Sequence, residues 1–153
     1  MDYDSKLAEL FIDLPEPRTL PAGVVHAATS GKLLWIEGLL PFAEGRLVAK
    51  GRVGVEVLLD TAQKAARAAL VQGLSVLAEE GKGTLNRVRR IVRLTGEVAS
   101  GPDFTEHEKV LAGASELLVN LFGKQGEHVR RAVGVASLPQ GACVQLSLLV
   151  EMR

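Results

Sequence analysis

The sequence predicts an α+β fold in which two α-helices cover one face of a mixed β-sheet. Three observations lead there. Two long segments, from Asp60 or Thr61 to about Glu80 and from Thr105 or Glu106 to Gly123, repeat apolar residues at helical spacing. Around them lie short, strongly apolar segments punctuated by glycine and proline, the pattern of strands. The 153 residues are 47% hydrophobic but only 4% aromatic, so the core is built from Leu, Val, Ile and Ala. A chain of this length is expected to form one domain, 1–153, burying roughly 70% of its unfolded surface.

Each element has its own signal. Ser5 to Ile12 reads as a short helix capped by Asp4 or Ser5, with Leu7, Leu10 and Phe11 on one face. Pro15, Pro17 and Pro21 then break the chain into a surface connector, so residues 1–21 are a helix and a Pro-rich link. Val24–Thr29 and Leu33–Glu37 read as strands joined at Ser30-Gly31-Lys32, a hairpin turn. Pro41 ends the second strand, Glu44-Gly45-Arg46 makes a turn, and Leu47–Val55 supplies one or two short strands. In the first long helix Ala62, Ala66, Ala69, Leu70, Leu74 and Leu77 form the apolar stripe, and Gly81-Lys82-Gly83 ends it. Val88–Val98 is a long strand. The second long helix carries Val110, Ala114, Leu117, Leu118 and Leu121, and the small residues Gly113-Ala114-Ser115 allow it to pack closely on the sheet. Two strands follow, the first beginning at Arg130-Arg131 and the second spanning Val144–Val150. Leu138-Pro139-Gln140-Gly141 joins them as a hairpin, with Pro second and Gly fourth as in a type I turn. Several strands are apolar on both sides, so the sheet face without helices is expected to be buried between subunits.

Composition excludes several functions. The 18 basic and 18 acidic side chains cancel, leaving no electrostatic footprint for nucleic acid or an anionic membrane. No apolar run approaches the ~18 residues of a membrane span, and the N-terminus lacks the features of a signal peptide, so a cytoplasmic protein is expected. Cys143 is the only cysteine and sits in an apolar strand, where packing is its expected role. His26, His107 and His128 are far apart with no metal-ligand spacing, and phosphate-loop, dinucleotide and nucleophile-elbow motifs are absent.

What remains is a set of charged residues on strands. Arg87, Arg89, Arg90 and Arg93 read as a solvated edge. Arg130 and Arg131 differ, because strand alternation sends them to opposite faces and one of them can offer its planar fork to a carboxylate. Glu37, at the end of an apolar strand just before Gly38, is either a solvated strand end or, in a subunit cleft, an ion-pair partner or general base.

The blocks Gly31-Lys32-Leu33-Leu34-Trp35-Ile36-Glu37-Gly38-Leu39-Leu40-Pro41, Gly51–Gly54, Leu85–Arg93, Ala99–Phe104, Val110–Leu118 and Arg130–Pro139 together resemble the RidA/YjgF family, also known as endoribonuclease L-PSP-like proteins. The resemblance runs from Leu14 to Glu151 and is closest to a divergent subgroup. It implies a chorismate-mutase-like fold assembled as a homotrimer, with small carboxylate-bearing metabolites held in clefts between subunits. It implies 2-iminobutanoate/2-iminopropanoate deaminase-like chemistry, in which an arginine at the position of Arg130 grips the carboxylate of an enamine or imine and water hydrolyses it, with no metal or organic cofactor. Gly38, Ala132 and Phe104 are the other ligand-binding positions that it suggests. The pocket residues depart from that pattern. Glu37 stands where the deaminases have serine, Leu39 where they have glutamine, Ala132 where they often have cysteine, and Ser147 where a glutamate handles the water. Two expectations follow: hydrolysis with Arg130, Glu37 and Ser147 as the catalytic set, or a non-catalytic ligand-binding or interaction module on the same fold.

Overall fold

The computed structural model describes residues 2–153. Its elements, in chain order, are α1 (Tyr3–Glu9), β1 (Ala27–Ser30), β2 (Leu33–Leu39), β3 (Phe42–Ala43), β4 (Arg46–Leu47), α2 (Leu59–Glu80), β5 (Val88–Ala99), α3 (His107–Phe122), β6 (Val129–Val135) and β7 (Val144–Met152). Five strands form a sheet in the order β1-β2-β7-β5-β6, antiparallel except for the parallel β5–β6 pair, and β3–β4 is a separate small hairpin. The expected α+β class with a mixed sheet is therefore what the chain adopts.

Strand alternation sorts the sheet into two faces. Leu34, Ile36, Ile91, Leu94, Leu146, Leu148 and Val150 point under α2 and α3 and are essentially fully buried. Their neighbours Trp35, Arg93, Thr95, Glu97, Gln145, Ser147 and Leu149 lie on the helix-free face, and none is buried in the single chain. That face is more polar than the apolar runs of the sequence suggested.

The last two strands correct the sequence reading. They do not form a hairpin. β6 lies at the sheet edge beside β5, whereas β7 is inserted between β2 and β5. The reason is topological: β5-α3-β6 is a parallel crossover unit, which sets β6 on one side of β5 and leaves the other side for β7. The turn is not type I either, because Gln140 and Gly141 both take positive φ, 59° and 75°. It carries the chain across the end of β5, a distance of roughly 10 Å.

Smaller corrections have local causes. α1 starts at Tyr3 rather than Ser5, since Asp2 is the cap and accepts from the amides of Asp4 and Ser5. Asp4 instead ties the helix to the loop after α2, taking hydrogen bonds from the Leu85 amide (2.8 Å) and the Thr84 hydroxyl. Phe11, expected on the apolar face, is 93% exposed, because the helix has ended and its φ is positive. Val24 and Val25 are exposed and precede the first ladder, which begins at Ala27. Leu47–Val55 yields only the end of β4 and single bridges, as Gly51 and Gly54 take positive φ and break the extended run. α2 begins at Leu59, and the Asp60 carboxylate bonds the next amide instead of capping from outside. The small residues of α3 also act differently. A Cβ on Gly113 would stand 2.2 Å from the Gln63 carbonyl, so this glycine brings α3 against α2. It is Gly96 of β5, under the Leu111 methyls, that lets the helix approach the sheet.

The α1 anchor predicts a pH response. Hydrogen bonds from Asn86, the Ser5 hydroxyl and the helix amides hold the Asp2 carboxyl below its usual 3.8. A depressed carboxylate contributes stability that is present above the unfolded value and is lost as pH falls through the folded one. The docking of α1 is expected to loosen below pH 3.8, and Asn86→Ala should move the Asp2 titration up toward 3.8. A carboxyl titration followed by NMR checks this, and an unchanged Asp2 midpoint in the variant would refute it.

Candidate functional site

Arg130 sits on edge strand β6 in register with the buried Leu94 and therefore points to the α3 side of the sheet. Its Nε and Nη2 donate to one carboxylate oxygen of Glu108, at 2.8 and 2.7 Å. Its Nη1 donates to the Ser115 hydroxyl at 3.0 Å. Glu108 and Ser115 are seven residues apart on α3, two helical turns, and so stand on one face. Behind them His128 Nδ1 lies 2.6 Å from the Gly126 carbonyl and Nε2 lies 2.9 Å from Ser115 Oγ. A carbonyl only accepts, so Nδ1 carries a proton and donates to Gly126, and the serine oxygen accepts from Arg130. The guanidinium is thus held on one edge by the directional Ser115–His128 relay and on the other by a charge.

Glu37 and Ser147 make a second cluster on the helix-free face. The ladder between β2 and β7 is in register to Ile36 and resumes at Leu39, so a bulge lifts Glu37 and Gly38 out of the pairing. Gly38 takes φ 70° there, with open space where a side chain would stand. Ser147 donates to Glu37 at 3.0 Å. Thr95 lies beside Ser147 on one side and Arg131 on the other, giving a polar row across β2, β7, β5 and β6. The bulge also opens a cavity of about 180 Å³ between β2 and the Pro-rich connector, lined by Pro17, Leu20, Val24, Glu37, Gly38 and Leu39.

Phe104 lies elsewhere. It stacks edge-on against His107, with ring centroids 5.1 Å apart, and borders an open groove with Arg52, Ser100 and Gly134. Ala132 shares the α3 side of β6 with Arg130 and packs partly buried against the core. The structure therefore joins Glu37, Gly38 and Ser147, places Arg130 and Ala132 together on the α3 side of β6, and sets Phe104 apart from both, in the groove that Gly134 borders. Arg130 and Glu37 are on opposite faces and three strands apart, roughly 14 Å at about 4.8 Å per strand. One chain does not bring them together.

Glu108, Ser115 and His128 escaped the sequence reading. The seven-residue spacing of Glu108 and Ser115 on α3 was visible, but it acquires meaning only once β6 is known to lie parallel to β5 under α3. Among the described residues no group of three or more His, Cys, Asp or Glu side chains is placed to hold a metal ion. Among the described residues no helix is long and apolar enough to cross a membrane.

Cys143 is fully buried, and burial pushes its thiol up to about 11 from 9.0. A thiol raised in this way contributes stability below the unfolded value, and that stability is lost as pH rises from 9 toward 11. Cys143 is expected to resist a disulfide reagent at neutral pH until the chain unfolds. Labelling at the native-state mixing rate would refute this.

The model of the family described as "YjgF/chorismate mutase-like, putative endoribonuclease" matches residues 4–152. Protein TCP17 of Trypanosoma cruzi is 38% identical over 150 residues, covering 97% of this chain and 93% of that protein. The crystal structure of Atu1372 from Agrobacterium tumefaciens superposes with a TM-score of 0.92 at 38% identity, covering 99% of this chain and 92% of the other. A Shewanella oneidensis structure carrying the same endoribonuclease label superposes with a TM-score of 0.93 at 27% identity, covering 99% and 100%.

Proposed function

The chain belongs to the YjgF/chorismate mutase-like family, and on that premise we propose that it works as a homotrimer binding small carboxylate or carbonyl metabolites in clefts between subunits, and hydrolysing reactive enamines or imines there. The observation that carries the reading is Arg130. It is a guanidinium with 27% of its side chain exposed, set on an edge strand and pre-oriented by Ser115 and His128. Such a fork is suited to one ligand carboxylate. The separation of Arg130 from Glu37 within a chain supports a site completed by a second copy, with the arginine from one subunit and the carboxylate of Glu37 from the next. The helix-free sheet face, open in the single chain, is the surface such an assembly would cover.

In the proposed reaction, Arg130 holds the carboxylate of a 2-imino acid. A water held by Glu37 and Ser147 adds to the imine carbon while Glu37 takes one of its protons. Glu37 passes that proton to the imine nitrogen, giving a carbinolamine, and the hydroxyl proton then moves through Glu37 to the amino nitrogen as the C–N bond breaks, expelling ammonia and leaving the 2-oxo acid. Atoms balance as imino acid plus water giving oxo acid plus ammonia. The neutral overall charge and the separate settings of the three histidines weigh against the ribonuclease that the family label suggests.

Ammonia release from freshly generated 2-iminopropionate tests this. The protein should accelerate release over the spontaneous rate, and Arg130→Ala should lose the acceleration. Equal rates with and without protein would overturn the hydrolytic part. Two observations favour the second reading, a binding or interaction module without turnover: Glu108 already occupies the Arg130 fork, and Glu37 is already engaged by Ser147. Under that reading 2-oxo acids bind through Arg130 and no imine is turned over.

A further inference from the structure

The partner already on Arg130 bears on which ligands it can take. Two of the three guanidinium nitrogens donate to a single oxygen of Glu108. Among the described residues Glu108 has no other ion-pair partner, because the neighbouring Lys109 is engaged by Glu106 at 2.8 Å. The two halves of the pair are unequally held. Arg130 is 27% exposed and fixed by Ser115, whereas Glu108 is 60% exposed in the first turn of α3 and free to swing outward. A ligand carboxylate arriving at the fork therefore displaces Glu108 rather than moving the arginine.

We infer that Glu108 is a specificity-determining residue that selects zwitterionic ligands over plain monoanions; the inference rests on Arg130 being the carboxylate-binding group proposed above. A monoanion that takes the fork leaves Glu108 without a cation and places two carboxylates side by side. A ligand with a positive nitrogen next to its carboxylate exchanges both partners: its carboxylate takes Arg130 and its ammonium or iminium takes Glu108. No charge is left unpaired. For the proposed reaction the consequence is directional. A protonated 2-imino acid is a zwitterion and the 2-oxo acid product is a monoanion, so Glu108 retains the substrate and helps to expel the product.

L-Alanine and L-lactate make a suitable probe pair, since they differ only in carrying an ammonium or a hydroxyl beside the carboxylate. Ligand-observed NMR at neutral pH gives their affinities for the wild type, Glu108→Gln and Arg130→Ala. The wild type is expected to prefer L-alanine by about two- to fivefold, the range of a partly exposed ion pair. Glu108→Gln, a near-isosteric change at an exposed position, should bring the ratio close to one and tighten L-lactate. An unchanged ratio in Glu108→Gln, with binding of both still lost in Arg130→Ala, would overturn the selectivity and leave the carboxylate site standing. Binding of neither ligand, or binding indifferent to Arg130→Ala, would overturn both.

Discussion

Arg130→Ala is expected to weaken binding of small carboxylates by roughly 30- to 1000-fold, or about 2–4 kcal/mol, while leaving the fold in place. The two effects separate because the guanidinium is used differently in the resting chain and in the complex. At rest its charged partner is Glu108, exposed and screened, and an ion pair of that kind contributes no more than about 1 kcal/mol. Ser115 and His128 remain hydrogen-bonded to each other when the arginine is removed, so no buried polar group is orphaned. For a chain of this length a loss of that size lowers the melting temperature by only about 2–4 °C. In the complex, by contrast, the ligand carboxylate has no alternative donor of comparable geometry on the α3 side of β6. Arg130→Lys should recover the charge but not the site, since an ammonium lacks the planar fork that bonds Ser115 on one edge and presents paired donors to a carboxylate on the other. Affinities for pyruvate and L-alanine, read beside thermal unfolding, check the argument. Unaltered affinity in a folded Arg130→Ala protein would remove Arg130 from the site.

Residues whose neighbours are set by local periodicity were legible in advance. The stripe from Ala62 to Leu77 identified α2 to within a residue or two, and Val88–Val98 identified the long central strand, because 3.6- and 2-residue repeats are written in the chain itself. Pairing was less legible. Pro139-Gln140-Gly141 is a true reversal, but a reversal does not say whether the returning strand lands next door or one strand further on, and here β5 occupies the nearer place. The same limit applies to the site. Alternation correctly put Arg130 and Arg131 on opposite faces, and it was the crossover through α3 that assigned Arg130 to the helix side and Arg131 to the open face. Glu37 was readable as a carboxylate at a strand end. The bulge that turns it out beside Gly38, within reach of Ser147, depends on a register shift against β7, more than a hundred residues away in sequence, and no local pattern encodes it.

A large stability loss from a single substitution is expected at Gly113. In an ordinary helix interior, replacing glycine gains up to about 1 kcal/mol from helix propensity. Here that gain is outweighed. The added Cβ would lie 2.2 Å from the Gln63 carbonyl oxygen and 2.9 Å from its carbon, both backbone atoms of α2. A side-chain tip can rotate away from a clash, but a helical carbonyl moves only with its helix. α2 in turn is fixed by Ala62, Ala65, Ala66 and Ala69, all fully buried and too small to be repacked. The two helices would have to separate along their contact, opening voids over β5 and β7 that the core cannot refill. Gly113→Leu is therefore expected to cost about 3 kcal/mol or more, lowering the melting temperature by roughly 6–12 °C, and Gly113→Ala to cost about 1–2 kcal/mol despite its better propensity. The contrast with Gly96 sharpens the test. The nearest atoms to a Cβ there are the Leu111 methyls, which can shift, so Gly96→Ala should be the milder change. A Gly113→Ala protein as stable as the wild type would mean that the α2–α3 spacing is not set by backbone contact, and that the platform holding Glu108 and Ser115 over Arg130 is softer than this packing implies.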